Sequence, residues 1–126
     1  MNKLFISPAK GTFGIHFDPK RGIFEISGNS FPPNAMEFFE PIVEWVNKFL
    51  SDEPKAPISI VFKVNYFNTS SSKYIYKILE LFHKNHEKFN NVKLIWHTHD
   101  SEDELYEDWR SLIQDLDIPH EVVYKE

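Results

Sequence analysis

Phe13, Ile15 and Phe17 alternate with Gly14, His16 and Asp18, which is the period of a half-buried strand. Asp18-Pro19-Lys20-Arg21-Gly22 supplies a turn, with Pro presetting φ and Gly open to a positive φ. Ile23-Phe24-Glu25-Ile26-Ser27 returns as the second strand of a hairpin, and Gly28-Asn29-Ser30 is expected to end it. The period then becomes helical. After Asn34, a suitable N-cap, the apolar stripe runs Ala35, Phe39, Ile42, Val46 and Phe49, widened by Phe38 and Trp45. Pro41 falls inside this stripe and is expected to kink the helix or restart it.

Residues 57 to 67 carry the strongest strand signal. Ile58, Ile60, Phe62, Val64 and Tyr66 are expected on a packed face, and Ser59, Val61, Lys63, Asn65 and Phe67 on a mixed outer one. Ile75, Ile78, Leu79 and Phe82 then form a helical stripe, with His83 and His86 expected in solvent. Asn90-Asn91 turns the chain into Val92-Lys93-Leu94-Ile95-Trp96-His97, a further strand. A third helix is expected from Asp100, with Ser101 and Glu104 as a capping box and Leu105, Trp109, Leu112, Ile113 and Leu116 facing the core. Glu121-Val122-Val123-Tyr124 reads as a short edge strand. The order β-β-α-β-α-β-α-(β) predicts one α/β domain over residues 1–126. It has two layers, a mixed four- to five-stranded sheet with the helices mainly on one face.

Composition narrows the function classes. A chain of 126 residues fits one domain with a real core, and the 16% aromatic content makes that core, or a partner surface, rich in rings. The net charge of −5, with no Lys/Arg stripe, argues against a nucleic-acid partner. The absence of cysteine removes disulfides, thiol catalysis and Cys-ligated zinc together, and agrees with a reducing compartment. The apolar run at the N-terminus is too short for a signal peptide, and none approaches a membrane span, so a cytoplasmic location without membrane insertion is expected.

Candidate chemistry centres on Asn68-Thr69-Ser70-Ser71-Ser72-Lys73, where a strand hands over to a helix. A helix N-terminus offers free backbone N–H groups and the positive end of the dipole. One hydroxyl there is explained as a Ser/Thr N-cap, but four in a row are not. A phosphorylated hydroxyl at this position adds charge without breaking the fold, as a reversible switch requires. Ser70 and Lys73 also match the S-x-x-K pattern of serine acyl-enzymes, yet the companion motifs are missing, and so is a P-loop. His97, His99 and Asp100, completed by Asp103 or His120, form the weaker metal candidate; surface histidines at a strand end are commoner. No cofactor is called for. The six carboxylates between Asp100 and Asp108 read first as a solvated helix start. Otherwise they make an acidic docking surface at the same sheet edge as Thr69.

Several segments together resemble the SiaC family of small bacterial regulatory phosphoproteins. They are Gly28-Asn29-Ser30-Phe31-Pro32-Pro33-Asn34-Ala35; Phe38-Phe39-Glu40-Pro41 and Trp45; Tyr66-Phe67-Asn68-Thr69-Ser70-Ser71-Ser72-Lys73; and Trp96 before an acidic helix. The resemblance covers nearly the whole chain, and its tyrosine-to-lysine segment is the most specific part. It implies a non-enzymatic partner-switch protein of biofilm regulation. Thr69 would be phosphorylated by a cognate serine/threonine kinase and reset by a phosphatase. The unphosphorylated form would bind and activate a diguanylate cyclase, and so act in cyclic-di-GMP signalling. Tyr66, Asn68, Thr69, Ser70, Ser71, Ser72 and Lys73 would form the partner-binding loop. The layout, a strand followed by a hydroxyl at a helix start, is also similar to STAS-type anti-sigma antagonists, which keeps a STAS-like adaptor with another effector as the alternative.

Overall fold

The computed structural model describes residues 1–99 and 103–125. Its elements are β1 (Leu4–Ile6), β2 (Gly14–Asp18), β3 (Ile23–Ser30), α1 (Ala35–Leu50), β4 (Ile58–Phe67), α2 (Thr69–Phe89), β5 (Val92–Thr98), α3 (Glu104–Ile113) and β6 (His120–Tyr124). The six strands form one mixed sheet in chain order, β1-β2-β3-β4-β5-β6. β1, β2 and β3 pair antiparallel, and β3 through β6 pair parallel. The expected α/β class holds, with six strands instead of four or five. The unexpected one is β1, whose Leu4 and Ile6 lie opposite Phe17 and Ile15.

The hairpin is fixed by its turn. Gly22 takes φ +67°, and its N–H donates to the Asp18 carbonyl at 2.9 Å. A Cβ at Gly22 would lie 2.3 Å from the Pro57 carbonyl oxygen, so this position excludes a side chain by space as well as by φ. Asp18 is buried beside Lys3, at 3.6 Å. Burial opposes ionisation of its carboxylate, but the Arg21 and Lys20 N–H groups and the Lys3 ammonium outweigh that and hold it below the usual range.

The core is one cluster between the sheet and the helices. Phe17, Phe24, Ile26, Ile60, Phe62, Leu94 and Trp96 face Ile42, Val46, Ile75, Leu79, Phe82 and Trp109. Trp96 and Trp109 stack at 4.9 Å between centroids, with Phe62 edge-on to Trp109 at 5.3 Å. The opposite sheet face carries Glu25, Lys63, Lys93 and Glu121, with a Lys63–Glu25 pair at 2.8 Å and a Lys93–Glu121 pair at 3.6 Å. This is the one-sided patterning expected of two layers. Among the described residues no helix is long and apolar enough to cross a membrane.

Three local expectations are corrected. The second hairpin strand does not stop at Gly28; it runs through Ser30, with Gly28 at φ +86°. α1 continues through Pro41 without restarting, capped by Asn34, whose side chain accepts the Glu37 N–H at 3.1 Å. α3 begins at Glu104 and is capped by Asp103, which accepts the Leu105 N–H at 2.9 Å. The Ser101 half of the expected capping box lies outside the described residues.

Candidate functional site

The site is built where β4 ends. In the parallel β3–β4 ladder Gly28 lies opposite Val64 but Asn29 lies opposite Tyr66, so Asn65 is an extra residue. That bulge reverses the alternation of the strand. Tyr66, expected in the core, is 48% exposed, while Phe67, expected outside, is buried at 8%. Phe67 anchors the strand end and Tyr66 is presented to solvent, 6.2 Å from the exposed ring of Phe31.

The helix cap follows at once. Asn68, not a hydroxyl, is the N-cap of α2; its Oδ1 accepts the Ser71 N–H at 2.9 Å and its carbonyl accepts the Ser72 N–H at 3.0 Å. The Asn68 N–H donates to the Ser30 carbonyl at 3.0 Å, which ties the helix start to the end of β3. Ser71 is fully buried; its hydroxyl donates to the Ser30 carbonyl at 3.1 Å and lies 2.7 Å from the Ser30 hydroxyl. Ser72 is half-buried and its hydroxyl turns back to the Thr69 carbonyl at 2.7 Å.

The hydroxyl run therefore splits into two kinds. Ser71 and Ser72 are engaged in holding the turn, so Ser71 is scaffold and its side chain does not reach the partner surface expected of it. Thr69 and Ser70 are exposed, and among the described residues their hydroxyls have no hydrogen-bond partner. Their N–H groups precede the first intrahelical bond and have no acceptor among the described residues, at the positive end of a 21-residue helix. Lys73 is exposed four residues beyond Thr69, on the same helix face.

Beside Thr69 lies a shallow cleft of about 410 Å³, lined by Phe67, Asn68, Thr69 and Ser72 on one side and by Asp108, Ser111 and Leu112 of α3 on the other. The expected juxtaposition of hydroxyls with the acidic helix is thus present through Asp108.

A model of the SiaC family of regulatory phosphoproteins matches residues 6–124. The chain belongs to that family. It is 34% identical over 97 residues to an uncharacterized protein of Pseudomonas aeruginosa strain UCBPP-PA14, covering 77% of this chain and 76% of that one. The fold superposes on SiaC of Pseudomonas aeruginosa with a TM-score of 0.87 at 31% identity, over 99% of this chain and 100% of that chain. It also matches a chain in the crystal structure of the diguanylate cyclase SiaD with its activator SiaC. There the TM-score is 0.88 at 29% identity, over 97% of this chain and 99% of that one. A SiaC-family chain is a regulatory phosphoprotein and not an enzyme.

Among the described residues the metal candidate does not assemble, although His97, His99 and Asp103 line one cleft. His97 points from β5 to the outer sheet face, while His120 on β6 stands edge-on to Trp109 at 5.8 Å on the helix side. Among the described residues no three His, Asp or Glu side chains could hold a metal ion, and Asp100 lies outside them. His97 is held below the ordinary histidine pKa by burial first, then by Lys125 and Lys63, with Glu25 opposing. His86, expected in solvent, is buried, and its Nδ1 accepts the Val92 N–H at 2.9 Å.

Phe31, 43% exposed beside Tyr66, was read only as part of the family-like segment and not as a surface residue of the site. A signal existed, since a large apolar residue caught between a strand end and Pro32-Pro33 has no periodic element to bury it. The inward turn of Ser71 was also legible. Ser71, Ile75, Ile78, Phe82 and His86 share one 3–4-residue stripe, so both polar members belong to the core face.

Proposed function

We propose that this SiaC-family chain is a phospho-switch in which Thr69 is the acceptor. Its unphosphorylated form binds and activates a diguanylate cyclase in cyclic-di-GMP and biofilm control, while a cognate kinase and a phosphatase set the phosphorylated fraction. The carrying observation is the division among the hydroxyls: Thr69 and Ser70 are exposed and, among the described residues, unpartnered, with Thr69 at the first helical position, while Ser71 and Ser72 are committed to the turn. The effector class is supported by SiaC of Pseudomonas aeruginosa, which was crystallised with the cyclase SiaD as its activator.

The chemistry follows from the position. The Thr69 hydroxyl attacks the γ-phosphoryl group of a kinase-bound nucleoside triphosphate. The new O–P bond forms as the bond to the departing nucleoside diphosphate breaks, and the hydroxyl proton passes to a base of the kinase. The product carries a charge of about −1.5 to −2 and three acceptor oxygens beside the free N–H groups of Thr69 and Ser70. Lys73, one turn on, balances part of that charge, so the folded state tolerates it. Across the cleft Asp108 meets it as a like charge. A partner packed on Tyr66, Phe31 and the helix start then faces both repulsion and the cost of desolvating a dianion.

The test is phosphorylation by the cognate kinase followed by intact-mass measurement. Thr69→Ala should abolish the 80-Da gain of one phosphate, while Ser70→Ala keeps it. Cyclase binding should be strong for the unmodified protein and weak for the phosphoprotein. Label persisting in Thr69→Ala, or equal binding of the two forms, refutes the assignment.

A further inference from the structure

Among the described residues β6 is the longer of the two edge strands of the sheet, and its own sequence names an occupant. β6 pairs with β5 on one side only and closes the sheet. Natural edges are usually blunted by brevity, charged side chains, proline, a bulge or a covering element, and of these β6 carries only the charges of Glu121 and the following Lys125. The opposite edge, β1, is three residues long. β6 has five residues, no proline and no register shift, and it exposes Val123 at 37% and Tyr124 at 59%.

The hydrogen bonds to β5 determine which groups are free. The Pro119 carbonyl accepts from Leu94 and the Lys125 N–H donates to Thr98, so residues 119, 121, 123 and 125 direct their backbone groups inward. By alternation Val122 and Tyr124 direct theirs outward.

We infer that this edge pairs antiparallel with the same edge of a second copy, through a two-fold axis at Val123. An antiparallel partner must set outward-facing residues opposite one another. The register centred on Val123 does so, placing Val122 of each copy opposite Tyr124 of the other, with both N–H and both C=O groups exchanged. On the outer sheet face the same register sets Glu121 opposite Lys125 at both ends, with the two Val123 side chains meeting between them. A one-residue shift of the axis to Val122 also satisfies the backbone, but it sets Glu121 against Val123. Charge complementarity therefore selects the first register. Among the described residues Glu121 is held within one chain by a half-exposed pair with Lys93 at 3.6 Å, a contact weak enough to exchange. The product is a continuous twelve-stranded sheet, and the occupant is a second copy of this chain.

The experiment uses the full chain, which has no cysteine of its own. In the inferred register the two Val123 positions form a non-hydrogen-bonded pair with Cα atoms about 4.5 Å apart, within disulfide reach. Val123→Cys should give a covalent dimer under mild oxidation, at least ~10-fold faster than Tyr124→Cys, whose two copies lie far apart. Sedimentation equilibrium of the wild type should show a concentration-dependent dimer. Glu121→Lys or Lys125→Glu alone should make it monomeric, and the double exchange should restore it. A wild type that stays monomeric at millimolar concentration overturns the inference, as does equal cross-linking at the two positions or a double exchange no better than the singles. None of these readouts involves phosphate, so the inference and the assignment of Thr69 fail separately.

Discussion

The two ends of α2 are made from the same kinds of residue and do opposite work. At its C-terminus Asn85, His86 and Asn91 form a closed polar knot. Asn85 donates to the Pro54 carbonyl at 2.9 Å and to Asn91 at 3.2 Å, and Asn91 donates to the Pro54 and Ala56 carbonyls at 2.9 and 2.8 Å. Asn90, at φ +51°, ends the helix in the left-handed conformation and donates to the His86 carbonyl at 2.7 Å. At the N-terminus the cap, Ser71 and Ser72 are tied down, while Thr69 and Ser70 are exposed and, among the described residues, their hydroxyls have no hydrogen-bond partner. A buried polar group must be satisfied within the fold, so it can only hold shape. An exposed one at a helix start remains open to new chemistry. The local difference between Thr69 and Ser71 is a rotation of two residues about the helix axis.

That contrast is most exposed by Thr69→Ala. Phosphate incorporation by the kinase should fall to background while the urea midpoint stays nearly unchanged, because an exposed, unpartnered hydroxyl contributes little to stability. A large loss of stability would place Thr69 among the scaffold groups. Next in size, Asn91→Ala should reverse the pattern: kinase labelling persists, but two carbonyls and Asn85 lose a partner. The cost is about 2–3 kcal/mol, or a fall in Tm of about 10 °C by calorimetry. Asn68→Ala lies between the two ends, costing about 1 kcal/mol as a lost cap and also disordering the acceptor. Both the melting temperature and the labelling rate should drop, and a change in only one would separate cap from site.

The smallest effect is the pH dependence carried by His97. Burial and the nearby lysines depress its pKa in the folded state, so the unfolded chain takes up the proton first as pH falls. Stability should therefore decline as pH drops through about 6.5, the ordinary histidine value, and level off below the folded-state pKa. Urea titrations of wild type and His97→Gln should show this slope reduced in the variant. An unchanged slope would assign it to other groups.

Much of this was readable from residues. The hairpin, the α1 and α2 stripes and the strand before the hydroxyl run follow from periods of 2 and 3.6, which depend only on local sequence. What escaped depends on distant pairing. No alternation rule anticipates the extra residue Asn65, because a bulge exists only relative to its partner strand. Leu4-Phe5-Ile6 is too short to register a period, and becomes a strand because β2 offers it an edge. His86 was placed in solvent by residue type, although its spacing from Phe82 already placed it inside.

Because the strands lie in the sheet in the order in which they are synthesised, each new one can dock on its immediate predecessor as it leaves the ribosome. The growing edge of the sheet is always the most recent segment. Assembly of the sheet can then proceed in step with translation, while the packing of early elements on late ones, such as Phe24 on Phe82 and Ser30 on Ser71, closes afterwards.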